Sequence, residues 1–126
     1  MGTKTDAVIE NAADVIREVL HTFQGGRRWV KDTFGPDKGA LASGSYCLVG
    51  GIRAVLGNGN QSEGQNHPLY RETIQVLAQT IRPTVKKGSS STLIRFNDSK
   101  RTTFDRVEAI LAAALVKARK LAGVGA

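Results

Sequence analysis

The chain has one cysteine in 126 residues, Cys47. No internal disulfide can form, which excludes a stapled secreted scaffold and points to a reducing compartment, the cytoplasm. Long apolar runs are missing too. The longest, residues 109–116, is far short of the ~20 residues that span a bilayer, so no membrane role is expected. The opening MGTKTDAVIEN lacks the basic start and apolar centre of a signal peptide. Aromatics make up 6% of the chain, with a single tryptophan, Trp29, and a small domain with so few uses its tryptophan to close the core more readily than to stack a nucleobase. Motifs of chemistry are scarce as well. Gly50 and Gly51 are followed by Ile52 and Arg53, not by the Lys and Ser or Thr of a phosphate-binding loop. No paired carboxylates, metal-ligand cluster or nucleotide fingerprint occurs, and no cofactor is expected.

What is present is positive charge and helical period. Lysine and arginine number 18 against 11 acids, a net charge of +7. The surplus is uneven: residues 1–26 hold four acids and two bases, which leaves sixteen bases and seven acids for residues 27–126. Such a balance favours an acidic partner such as nucleic acid, or simply a well-solvated surface. At this length one domain, 1–126, buries roughly two-thirds of its unfolded surface, with residues 1–4 and 122–126 frayed.

The expected fold is mainly α, a compact bundle of about four helices with at most a short strand or extended pair. The first helix is read over residues 5–23, capped by Thr5 or Asp6, with Val8, Ile9, Ala12, Ile16, Val19, Leu20 and Phe23 on its apolar face. Asp6, Glu10, Asp14 and Glu18 recur every four residues beside it, an acidic line relieved only by Arg17. The line is either an exposed face, an acidic docking strip, or an internal partner for the basic last helix. Residues 27–44 read as a connection with an extended piece at Trp29 and Val30. A second helix follows over residues 45–56, capped by Ser43 or Ser45 and burying Cys47, Leu48, Ile52, Val55 and Leu56. Gly50 and Gly51 cost it about 1 kcal/mol each relative to alanine, which implies the close approach of another backbone.

Residues 57–66 read as a mobile polar loop. Pro68 opens a third helix through Leu69, Thr73, Ile74, Leu77 and Ile81, and Pro83 stops it. Lys86, Lys87 and residues 88–91 form a basic connector, residues 92–96 a short strand or extended lead-in, and Asn97 and Asp98 a turn. The last helix is the clearest. Thr102 or Thr103 caps it, Asp105 sits near its positive end, and Phe104, Val107, Leu111, Ala114, Ala118 and Leu121 recur every three or four residues, widened by Ile110 and Leu115. Arg106, Lys117 and Lys120 fall together on its projection, although cations near a helix C-terminus also serve the helix itself.

Three landmarks in order, Trp29, the segment CLVGGI from Cys47 and the segment RFNDSKRTTFDRV from Arg95, resemble a family of small proteins of unknown function found in actinobacteria and their phages. The likeness covers most of residues 5–120. It departs after Trp29, where this chain reads VKDTFG and that family often has an earlier glycine. The resemblance implies a provenance and a common fold, and no mechanism.

Three functions fit these residues. The first is a non-enzymatic regulatory or interaction protein, engaging a host protein through a helix face or a second copy of itself through the glycine-bearing second helix. The second is a nucleic-acid binder with little sequence readout, using Arg27, Arg28, Lys86, Lys87, Lys100, Arg101, Lys117, Arg119 and Lys120 as phosphate contacts. The third is an enzyme built on Cys47 or on Asn97 and Asp98 with Arg101, residues that have ready structural roles: a buried thiol, and caps or braces shared with Thr102. His21 and His67 form no motif with Cys47.

Overall fold

The computed structural model of the chain describes residues 8–41, 44–86 and 89–123. Six α-helices run through them: α1 Ala12–Phe23, α2 Leu48–Leu56, α3 Gln61–Gln65, α4 Tyr70–Ile81, α5 Ser90–Asp98 and α6 Phe104–Leu121. No strand occurs among the described residues, and a single parallel bridge joins Trp29 to Tyr46. The chain is mainly helical, as read, with six helices in place of about four.

The first helix begins later than residue 5. Asn11 is its cap, accepting a hydrogen bond from the Asp14 amide at 3.0 Å, while the Asp14 carboxylate accepts one from the Glu10 amide at 2.9 Å. Continuing the helix upstream would instead stack Glu10 on Asp14, a like-charge pair four apart. Val8, expected in the core, is 67% exposed. Thr5 and Asp6 lie outside the described residues. The helix ends at Gln24, which adopts a left-handed conformation before Gly25 and Gly26.

α6 packs against α1 and α4, α2 against α1 and α3, and α5 against α4 and α2. Between them Ile16, Val19 and Phe23 of α1, Leu48 and Ile52 of α2, Leu77 of α4, Leu93 of α5 and Leu111 of α6 are fully buried, each worth about 1.5–3 kcal/mol over an exposed position. The α6 stripe buries Val107, Leu111, Ala114 and Ala118 but stops there; Leu121 is 69% exposed, one turn beyond the last packed residue.

α2 starts at Leu48, and its cap is neither Ser43, outside the described residues, nor Ser45. Tyr46 is drawn into the bridge, donating its amide to the Arg28 carbonyl at 2.8 Å and accepting from the Val30 amide at 3.1 Å. The backbone therefore stays extended up to Cys47, whose Sγ accepts from the Gly50 amide at 3.4 Å. Gly50 lies against the Phe34 carbonyl with no room for a Cβ, and Gly51 against the Phe23 ring. The close approach read from the glycine pair is thus made within the chain, and both glycines are buried.

Two segments differ from the sequence reading. Residues 57–66, taken as a mobile loop, contain α3, capped by the Asn60 side chain on the Glu63 amide at 3.1 Å. Its Gln61 is buried and donates through Nε2 to the Phe34 and Pro36 carbonyls at 2.8 and 3.1 Å, tying α3 to the connection below it. Residues 92–96 are neither strand nor extended lead-in but the middle of α5. Leu93 and Asn97, one helical turn apart, are its buried positions.

Candidate functional site

At its C-terminal end α5 meets the connection before α2 through one amide. Asn97 Oδ1 accepts from the Trp29 indole N–H at 2.6 Å and from the Leu48 amide at 3.1 Å; its Nδ2 donates to the Val30 carbonyl at 3.1 Å and to Asp98 Oδ1 at 2.9 Å. Asp98 Oδ1 also accepts the Asp32 amide at 2.8 Å. Leu48 opens α2, so Asn97 caps that helix from a distant part of the chain. The pair read as turn formers thus closes a helix and braces residues 29–32. Trp29 belongs to this brace: its ring packs on Phe104, centroids 5.9 Å apart.

A cavity of about 290 Å³ beside the brace is lined by Asp32, Thr33, Phe34, Cys47, Ile94 and Asp98. Cys47 is the nucleophile candidate there. Burial pushes its thiol above the ordinary range, and the nearby Asp98 carboxylate adds to the rise against the lowering influence of the α2 amides. A raised thiol is a poor nucleophile at neutral pH. Neither described histidine lines the cavity; His67 Nδ1 accepts the Leu69 amide, and His21 is exposed at the end of α1. No cluster of three metal-ligating side chains occurs among the described residues.

The larger cleft, about 720 Å³, lies where the end of α4 meets α5 and the start of α6. Arg82 follows α4, Arg95 lies on α5, Arg101 in the α5–α6 connection and Arg106 in the first turns of α6. These four arginines line the cleft together with Ser91, Thr92, Ser99 and Thr102, and with the apolar Ile81, Phe96, Ala109 and Ile110. No carboxylate is among the described residues that line it. Arg106 is held in place, its Nη1 donating to the Arg101 carbonyl at 3.2 Å. Because both contributing helices are regular, Thr92, Arg95 and Ser99 share one face of α5 and its C-terminus, and Arg106, Ala109 and Ile110 share one face of α6.

The expected contacts are mostly elsewhere. Of the basic candidates among the described residues only Arg101 lines the cleft, with Lys100 exposed beside it. Lys117 and Lys120 are exposed and Arg119 half-buried toward the far end of α6; Arg27 and the half-buried Arg28 flank the bridge; Lys86 is exposed after α4, and Lys87 lies outside the described residues. Thr102 is not the cap of α6. Thr103 holds that position without a side-chain hydrogen bond, and Thr102 is buried under the cleft. Of the acidic line, Asp6 lies outside the described residues, Glu10 precedes α1, and Asp14, which bonds Arg17 at 3.0 Å, and Glu18 lie on the helix. Arg82, Arg95 and Arg106 are the cleft arginines that sequence reasoning missed as contacts. For Arg95 the signal is the recurrence of Thr92, Arg95 and Ser99 at helical spacing, which an extended reading of residues 92–96 conceals.

Fold and cleft together define a small helical protein with an arginine-walled groove over an apolar floor. A family model described as a family of unknown function (DUF6197) matches residues 1–116, and the chain belongs to that family. No curated protein and no solved structure matches it. No helix among the described residues is long and apolar enough to cross a membrane.

Proposed function

We propose that this protein binds nucleic acid without acting on it chemically, seating the phosphate backbone in the arginine cleft. One observation carries the reading: among the described residues, four arginines and no carboxylate line a single hollow. Guanidinium presents planar paired donors that match phosphate oxygens, and four of them around one hollow favour an anion there. The hydroxyls add neutral donors. Among the described residues no Asn, Gln, Asp or Glu lines the groove, so base edges have few readers and weak sequence preference follows.

The test is fluorescence anisotropy of labelled oligonucleotides across a salt series. Four phosphate contacts give a slope of log K against log salt of about −3, and Arg95→Glu with Arg101→Glu flattens it by about 1.5. Both side chains are exposed, so the fold survives their replacement. A slope unchanged by the double variant would sink the reading. Binding of polyglutamate as tight as that of an oligonucleotide would transfer the cleft to an acidic protein segment, the adaptor role in which this chain engages a host protein. The finer provenance, actinobacteria and their phages, and an action in the cytoplasm belong to the same proposal; the first is supported by the Trp29, CLVGG and RFND landmarks and the second by the lone cysteine.

A further inference from the structure

We infer that the cleft takes an unpaired strand, laying one base on its apolar floor while the arginines hold the flanking phosphates. The inference rests on the nucleic-acid reading of the same cleft and narrows it to single strands. Its ground is the floor. Phe96, Ile81 and Ile110 are each half-buried, and Ala109 is exposed, so apolar surface remains open in the same cleft that the four arginines line. A duplex keeps its bases stacked inside and offers the groove only sugar and phosphate, which would leave that floor wet. An unpaired nucleotide carries an aromatic face and an anion on one unit, and matches floor and rim together. The hollow of about 720 Å³ falls within the range that encloses a ligand of nucleotide size.

The aromatic element is Phe96, not Trp29. The indole N–H of Trp29 is bonded to Asn97 and its ring packs on Phe104. Phe96 is the sole aromatic residue lining the cleft, and Arg95 precedes it on α5. Arg106, tethered through one N–H to the Arg101 carbonyl, keeps further donors free for a phosphate. Base stacking tolerates every base, so the strand preference carries no sequence preference.

The experiment measures affinity for an oligothymidylate, a single-stranded RNA and a duplex of equal length, at low and at physiological salt. Wild-type protein is compared with Phe96→Leu, which keeps apolar bulk but removes the π face, with Phe96→Trp, which keeps a larger one, and with Arg95→Glu. Single strands are expected to bind about ten-fold tighter than duplex. Phe96→Leu should lose about ten-fold on single strands and less than about two-fold on duplex, while Phe96→Trp retains the preference. Arg95→Glu should weaken both forms. Equal or tighter duplex binding, or a Phe96→Leu variant with intact single-strand affinity, overturns the inference while leaving a backbone-binding cleft in place. Failure of every oligonucleotide to bind at low salt overturns both.

Discussion

Asn97 meets four hydrogen-bonding demands with one side chain: the indole of Trp29 and the neighbouring Val30 carbonyl in the connection, the first amide of α2, and the Asp98 carboxylate beside it on α5. Its carboxamide has one acceptor oxygen and two donor hydrogens, and all are used. Truncation to alanine strands the Leu48 amide in the interior and leaves the Trp29 N–H half-buried without a partner. Each such orphan costs about 1–3 kcal/mol, so Asn97→Ala should lose about 2–4 kcal/mol in urea unfolding. Against a typical domain stability of about 5–15 kcal/mol that is a large fraction. Trp29, the single tryptophan, supplies the fluorescence readout. A loss under about 1 kcal/mol would show that the network does not hold these segments together.

Helices whose signals are local were legible, and those specified by tertiary contacts were not. α4 ends one residue before Arg82 and Pro83, and α6 carries a periodic stripe, so both were read close to their bounds. α5 was missed because TLIRF mixes Thr, Ile and Phe in a run that fits a strand as well as a helix; Leu93 and Asn97 decide for helix only once α4 and α2 offer surfaces to bury them. α3 was hidden in a polar, glycine-bearing stretch where Gly64 packs against the Arg53 carbonyl. The same contest between local propensity and packing can be measured at Gly50. On helix propensity alone Gly50→Ala gains about 1 kcal/mol. Its Cβ would run into the Phe34 carbonyl, and overpacking of that kind costs about 1–3 kcal/mol. The expected outcome is net destabilisation by urea titration. A stabilised variant would mean that the connection through Phe34 does not press on α2.

Across the whole molecule the net charge of +7 announced a positive surface but not its focus. Composition pointed to the C-terminal lysines, whereas the cleft gathers Arg82, Arg95, Arg101 and Arg106, which come together only once α5 and α6 fold against α4. The two basic regions act over different ranges. Lys117 and Lys120 stand about 16 and 21 Å along α6 from Arg106, at 1.5 Å per residue. At physiological ionic strength the screening length is about 8 Å, so the lysines scarcely feel an anion seated in the cleft; at 0.01 M salt it is about 30 Å and they do. Lys117→Glu with Lys120→Glu should therefore leave the affinity for a very short oligonucleotide nearly unchanged at physiological salt and lower it several-fold in dilute buffer. A longer strand, able to leave the cleft and follow α6, should lose affinity under both conditions, because it meets the lysines directly. Equal losses for short and long strands at physiological salt would place the primary contact on the far end of α6 and take the cleft out of the binding path.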